Sequence, residues 1–436
     1  MLPLLLLLAP GALASAGLLA ALILVTPLVV ESTVLFGDRL LRYLFGSSSH
    51  PPVAHAAAPG ALTVSPVLSQ QILGYARWRQ LVGHLKRVVR WEFWPPWLAY
   101  LPVVPYLLYL AVRHRSLTLF TAANPAIPSG GFAGESKSEI LMQLRRASEA
   151  IAKFDVIPGG LENGARIKTA LDIIARLDLS YPIVLKPDVG ERGSGVAIIR
   201  SQLEMERYLC EAPGTVILQQ YIDGSEFGVF YYRYPDEDRG RIFSITEKRF
   251  PEVVGDGRRS LSELILSDSR AVCLASAYAR ASKRPLSDVP APSERVKLVE
   301  LGSHCRGAIF LSGDHWQTRT LEITVDRICQ AYPGFYFGRF DVRAPSPEAL
   351  ARGVFTVLEL NGVAAEATHV YDPAVSVFEA YRVMFEQWRI AFEIGAVNRA
   401  RGMAPMPLPD LVRMLFARFK QQNAAVERSA AARRDA

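Results

Sequence analysis

Tyr181-Pro-Ile-Val-Leu-Lys-Pro-Asp-Val-Gly-Glu-Arg-Gly-Ser-Gly-Val196 is the stretch on which the reading of this 436-residue chain turns. Its first half is an apolar run short enough to be a buried strand, and it ends in Lys186. Its second half sets glycines at 190, 193 and 195 around Arg192 and Ser194. Glycines let backbone N–H groups come close to phosphate oxygens, and Lys186 and Arg192 supply positive charge, so by chemistry this is a phosphate cradle. It is not a P-loop, because the lysine precedes the glycines and the G-x-x-x-x-G-K-[ST] order is absent. Standing alone, the same segment reads equally well as a β-turn beside an ordinary surface lysine.

Two further motifs follow. Val216-Ile-Leu-Gln-Gln-Tyr-Ile-Asp-Gly-Ser-Glu-Phe-Gly-Val-Phe230 holds two strand-like runs joined by a polar bend at Asp223-Gly224, which by itself predicts a β-hairpin. Glu226 stands where a ribose hydroxyl could be met, and the stretch Gln220 to Ile222 could offer backbone groups to a base edge. Gly338-Arg-Phe-Asp-Val-Arg343 and Val357-Leu-Glu-Leu-Asn361 both sit in strand-like contexts. Asp341, Glu359 and Asn361 are hard oxygen ligands, and Glu359 and Asn361, two apart on a strand, share a face. Mg²⁺ (or Mn²⁺) suits such a set when phosphate oxygens complete it. The competing reading, a solvated acidic face, is weakened by the apolar neighbours.

Taken in order, these motifs resemble the ATP-grasp superfamily over residues 120–372, in particular its carboxylate–amine ligases such as D-alanine:D-alanine ligases, glutathione synthetases and cyanophycin synthetases. The resemblance implies an α+β fold whose two halves grip ATP. It places Lys137 and Lys186 on the ATP phosphates, and Gly190, Arg192, Gly193, Ser194 and Gly195 in the phosphate loop. Gln219, Gln220, Tyr221 and Ile222 fall on the adenine-contacting linker, with Gln219 where glutamate is commoner, and Glu226 on the ribose. Lys248 matches a γ-phosphate lysine, and Val253-Val-Gly-Asp-Gly-Arg258 looks like a segment of the cyanophycin-synthetase relatives. Arg339 matches an arginine that stabilises a tetrahedral intermediate, and Asp341, Glu359 and Asn361 match the Mg²⁺ ligands.

The implied reaction moves the γ-phosphoryl group of ATP to a substrate carboxylate, after which an amine displaces phosphate. Placed cations stabilise the developing oxyanions. That agrees with the lack of a convincing Ser-His-Asp or Cys-His constellation. Two other readings stay open: a kinase of the same fold that phosphorylates a small molecule, and a membrane regulator that binds ATP without turnover. The resemblance also implies a complete substrate-binding domain ahead of the ATP site, whereas here only Thr121 to Lys137, rich in glycine and turn residues, fills that space. His304 and Arg306 are further candidates for contacts to an anionic substrate, or ordinary structural residues, and His369 either lines the acceptor site or caps the domain.

Upstream the composition changes. Half of all residues are hydrophobic, and the first 115 carry nine basic residues against three acidic ones. Residues 2–30 hold no charge, enough to span a bilayer, and read as a retained anchor, with a cleaved signal peptide as the rival reading. A second apolar segment, 91–112, begins with clustered aromatics and contains Pro95, Pro96, Pro102 and Pro105. It is flanked by basic residues at both ends, and so reads either as a second span or as a re-entrant or interfacial segment. The expected organisation is therefore a membrane region at 1–115, an ATP-grasp domain at 116–372, and C-terminal helices with a basic tail at 373–436. The expected location is a bacterial-type inner membrane, with the catalytic domain on the cytoplasmic side.

The net charge of +7 suggests nucleic acid at first sight, but no basic recognition module accompanies it, and the partners expected are a carboxylate, an amine and the membrane. Cys210, Cys273, Cys305 and Cys329 are widely separated and read as reduced core thiols rather than metal ligands. Phe378, Tyr381, Phe385, Trp388 and Phe392 recur at helical spacing and predict a packed stripe.

Overall fold

The computed structural model describes residues 66–145, 150–190, 193–300, 302 and 307–417. The apolar run 2–30, Arg192, His304, Cys305, Arg306 and the basic tail beyond 417 lie outside them. The chain divides into two compact units: residues 66–104 join with Pro251–Glu300, and Pro105–Phe250 join with the described residues from 302 to 417.

In the first unit the helix Pro66–Val89 packs on the helix Leu261–Ser267 and the turn Ala271–Leu274. Gly83 permits this approach, since a Cβ there would lie 3.0 Å from the Val272 carbonyl carbon. Ser260 and Glu263 form a capping box that satisfies the first amides of Leu261–Ser267. Buried Leu266, Val272 and Cys273, with Ala76 and Phe93 against them, make a small core. Glu92 is buried there and accepts from Arg270 at 2.7 Å. A two-stranded antiparallel ribbon, β7 (Glu252–Val254) with β8 (Arg295–Lys297), completes the unit.

Residues 91–112 do not form a continuous span. They break into Trp91–Phe93, Pro96–Tyr100 and a helix Val103–Arg113, because each proline removes an amide donor. No helix among the described residues is long and apolar enough to cross a membrane.

The second unit is an α+β body with two antiparallel sheets. One has the order β1-β4-β2-β3, from β1 (Phe154–Ile157), β2 (Ile183–Pro187), β3 (Ala197–Ile199) and β4 (Val216–Gln220). The helices Asn163–Leu177 and Gln202–Glu211 cover it, burying Ile173, Ile183, Leu185, Met205, Leu209 and Leu218. The other has the order β11-β10-β5-β6-β9, from β5 (Ser225–Tyr232), β6 (Arg241–Arg249), β9 (Ile309–Ser312), β10 (Phe337–Ala344) and β11 (Thr356–Asn361). Its core includes Phe227, Val229, Tyr231, Phe340 and Val342, packed with Leu321, Val325 and Ile328 of the helix Arg319–Gln330.

The expected hairpin at 216–230 is therefore not one. β4 and β5 belong to different sheets, and the bend at Asp223-Gly224 carries the chain from one to the other. Gly224 has φ 114° and lies so close to the Ala344 carbonyl that a Cβ would collide with it. The long helix Val377–Ala400 packs in this same unit, where Asn398 Nδ2 donates to the Ala122 carbonyl at 2.9 Å. Along its aromatic stripe Trp388 and Phe392 are buried and Phe385 meets Tyr106 at a ring distance of 4.7 Å, but Phe378, in the first turn, is 83% exposed. The cysteines also depart from expectation at one place: Cys273 and Cys329 are buried free thiols, while Cys210 is exposed near the end of its helix.

Candidate functional site

The site lies on the face of the five-stranded sheet that looks away from the aromatic core, and strand register builds it. On β5, Glu226 pairs with Arg343 of β10 on one side and with Lys248 of β6 on the other. Its carboxylate accordingly accepts from Arg343 at 3.1 Å and from Lys248 at 3.1 Å. Two residues on, Gly228 occupies the same face opposite Asp341 and presents no side chain. Across that gap Lys248 reaches Asp341 at 3.1 Å, and Arg339 Nε donates to Asp341 at 3.0 Å. A Cβ at 228 would stand 3.0 Å from Arg339 Cδ, tighter than ordinary contact.

On β10 and β11, Asp341 lies opposite Glu359, and Arg339 opposite Asn361. Between these pairs and Val342–Val357 the register slips by one residue, leaving Leu358 as a bulge. Its carbonyl is turned to the other sheet, where Lys186 Nζ of β2 and Gln219 Nε2 of β4 each donate to it at 3.1 Å. Lys137, at the start of the helix Lys137–Arg145, completes the cluster by pairing with Glu359 at 2.5 Å. Lys137, Lys186, Lys248 and Arg339 thus converge on the strand pair that carries Asp341, Glu359 and Asn361.

The charges tune one another. Burial pushes the Lys186 ammonium below the ordinary lysine value, and Lys137 adds to this while the Glu359 and Asp341 carboxylates only partly offset it. Burial also opposes the charge of Lys137 and Lys248, but direct carboxylate partners, Glu359 for one, Asp341 and Glu226 for the other, outweigh it and raise both. Burial would raise Asp341, yet Arg339 and Lys248 hold it well below the carboxylate range. Glu359 is likewise lowered, against its burial, by Lys137 and Lys186. Both carboxylates are therefore ionised and ready for a cation.

Among the described residues no three His, Cys, Asp or Glu side chains gather closely enough to hold a metal by themselves. Two carboxylates and an amide oxygen on adjacent strands fit a divalent ion whose remaining ligands come from phosphate and water, which is the way Mg²⁺ is commonly held. The residues present fit that ion.

The glycine loop follows β2. Gly193 and Gly195 adopt φ of 74° and 73°, and a Cβ on Gly195 would lie 2.6 Å from Pro187 Cγ, so both positions require glycine. Gly190 has no such requirement, since a Cβ there would make ordinary contacts at 3.7 Å. Ser194 lies between the two left-handed glycines, and the Gly195 carbonyl is held by the Tyr208 hydroxyl at 2.6 Å. In the linker, Gln220 is engaged in the sheet, its N–H donating to the Lys153 carbonyl at 2.8 Å. The Ile222 carbonyl accepts from Arg343 at 2.6 Å, and the same guanidinium lies 5.3 Å from the centre of the Tyr221 ring. Among the described residues no hydrogen bond joins His369 to the cluster; it is buried in a turn that contacts β6 and β9, where burial lowers its pKa despite Asp314, Glu379 and Asp372 nearby.

Three residues that shape the site carry no expectation from the sequence. Arg343 was visible in principle, because 339, 341 and 343 share a face of a strand. Asp188 joins the glycine loop to the helix of Lys137, accepting from the Ser138 N–H at 2.8 Å and from Ser136 Oγ at 2.9 Å. That pairing spans fifty residues, and no local pattern announces it. Asn124 is fully buried, donating to the Gly130 and Phe337 carbonyls and accepting from the Tyr336 and Phe337 amides. It holds the loop Thr121–Lys137 beside β11, where the Val363 and Ala364 amides donate to the Gly130 and Gly131 carbonyls, each at 3.0 Å.

No protein-family model matches the sequence, and no curated protein does. Several solved structures resemble part of the chain. The bifunctional glutathione synthetase of Pasteurella multocida is 14% identical over 58% of this chain and 36% of its own, with a TM-score of 0.34. The VanG D-Ala:D-Ser ligase of Enterococcus faecalis is 15% identical over 58% of this chain and 61% of its own, TM-score 0.33. The D-alanine–D-alanine ligase of Bacillus anthracis is 15% identical over 60% and 69%, TM-score 0.33. The chain thus spans about a third of the first of these, and likenesses this loose carry no conclusion about substrates.

Proposed function

We propose that the second unit is an ATP- and Mg²⁺-dependent ligase that activates a small-molecule carboxylate as an acylphosphate for attack by an amine. One observation carries the reading: three lysines and an arginine, drawn from four separate elements, meet at a partly buried carboxylate pair on β10 and β11. A structural ion pair needs one cation. A triphosphate and the acylphosphate made from it need several, placed around a divalent ion.

In this reading Lys186, with Lys137 and the glycine loop, holds the phosphates, and Glu226 with the linker holds the nucleoside. When bound, Mg²⁺ neutralises charge on the phosphate oxygens; Asp341, Glu359 and Asn361 would hold it. A carboxylate oxygen attacks the γ-phosphorus and ADP leaves. The amine then attacks the acyl carbon, phosphate leaves with the C–O bonding pair, and the amine loses a proton. Lys248 and Arg339 stabilise the oxyanion of the tetrahedral intermediate. The loop pinned by Asn124 takes the place of a separate domain in bounding the acceptor pocket.

The test is ADP release on addition of candidate carboxylates, with hydroxylamine supplied as the amine. A hydroxamate is expected, and Glu359→Gln should slow its formation roughly a thousandfold. Phosphate-ester formation with no hydroxamate would mean a kinase. We further propose that residues 2–30 tether the chain to a bacterial-type inner membrane with this unit on the cytoplasmic side; recovery of the full-length chain in the soluble fraction after cell lysis would end that idea.

A further inference from the structure

The helix Pro66–Val89 has two opposed faces. One packs inside its unit, where Gly83 meets Val272 and Arg79 Nε donates to the Leu266 carbonyl at 2.7 Å. On the other, Trp78, Leu81, Leu85 and Val88 recur at spacings of three, four and three, joined by Val89. All five are exposed: Trp78 by 60%, Leu85 by 58% and Val89 by 82%. Single exposed apolar residues are ordinary, but a continuous stripe of this kind marks an interaction surface.

The charges beside the stripe select its occupant. The helix contains Arg77, Arg79, Lys86 and Arg87 and no acidic residue. Arg77 is exposed next to Trp78, and Lys86 lies on the opposite flank, its Nζ within 3.3 Å of the Ser269 carbonyl. A second copy of the helix would bring like charges together. The apolar run at 2–30 has no charge with which to answer the cations. An anionic lipid surface answers both, taking the apolar side chains among its acyl chains and the cations among its headgroups. With four cations in its length, this helix is suited to lie in the interface and not to cross it.

We propose that Trp78, Leu81, Leu85, Val88 and Val89, flanked by Arg77 and Lys86, form a docking surface for an anionic phospholipid bilayer. This is independent of the nucleotide site and of any anchor at 2–30. The test uses the full-length chain with vesicles of phosphatidylcholine and phosphatidylglycerol in equal parts, bearing brominated acyl chains that quench buried tryptophan. Quenching should be large for the wild type and reduced in Trp78→Phe, which keeps its ATP turnover and melting temperature. Arg77→Gln should require about fivefold more anionic lipid for the same quenching, and Leu85→Glu should abolish the contribution of Trp78. Equal quenching of wild type and Trp78→Phe would overturn the proposal even if the protein binds vesicles, since binding would then arise elsewhere. So would equal Trp78 quenching with pure phosphatidylcholine, or a vesicle-independent dimer that Leu85→Glu dissolves.

Discussion

The two sheets of the second unit treat charge in opposite ways. The five-stranded sheet holds its charged groups in fixed mutual register: Arg343, Glu226 and Lys248 stand side by side across β10, β5 and β6, and Asp341 faces Glu359 across β10 and β11. Each cation there has a carboxylate partner. The four-stranded sheet instead contributes Lys186, buried and held, among the described residues, only by a carbonyl of the other sheet, together with a loop whose glycines take left-handed conformations. One sheet carries a balanced charge network, the other a cation that folding alone does not favour. A buried cation without a carboxylate in contact costs stability, and in the proposed function Lys186 is kept for a phosphate ligand.

That contrast can be broken most sharply at Lys186. Lys186→Met should lower ATP turnover about a hundredfold while leaving the melting temperature unchanged or higher, because it removes a desolvated charge. A lower melting temperature with turnover retained would make Lys186 structural and erase the difference between the sheets. A smaller effect is expected from Gly228→Ala, which pushes a methyl group between Arg339 and Asp341; turnover should fall about tenfold through misplacement of a few tenths of an ångström, with the fold intact by circular dichroism.

The smallest effect is on stability in acid. Asp341 and Glu359 titrate below the ordinary carboxylate range in the folded chain, so their contribution is complete above that range and is lost as pH falls through the lowered values. The melting temperature of the ligand-free protein should therefore drop below about pH 4. Asp341→Asn should start lower at neutral pH, with Lys248 and Arg339 less well paired, and lose less on acidification. Parallel curves for the two proteins would show that the pairing on β10 contributes nothing.

What could be read from the sequence was whatever depends on short range. The strand ending at Lys186, the acidic and amide residues of β10 and β11, and the helix-breaking prolines of 91–112 all follow from local pattern. What escaped depends on pairing at a distance. Nothing in 216–230 says that β4 pairs with β1 and β2 while β5 pairs with β6 and β10, and so the segment reads as a hairpin. Likewise nothing local says that 66–104 packs with 251–300, or that Asp188 caps the helix of Lys137. Phe378 departs from the expected stripe for a different reason: its spacing is right, but it stands in the first turn of its helix, where no described residue packs over it closely enough to bury it.

The bulge at Leu358 changes how β11 is read along its length. Val357 and Leu360 both belong to the core, three positions apart, whereas Glu359 and Asn361 belong to the site. Strict alternation would have put 357, 359 and 361 on one side. The strand is in effect a splice between two reading frames, one read by the core and the other by the charged cluster. An insertion or deletion on either side of Leu358 would leave one frame intact and invert the other, so the arrangement of Glu359 and Asn361 is more sensitive to chain length at that junction than to the identity of the residue that occupies it.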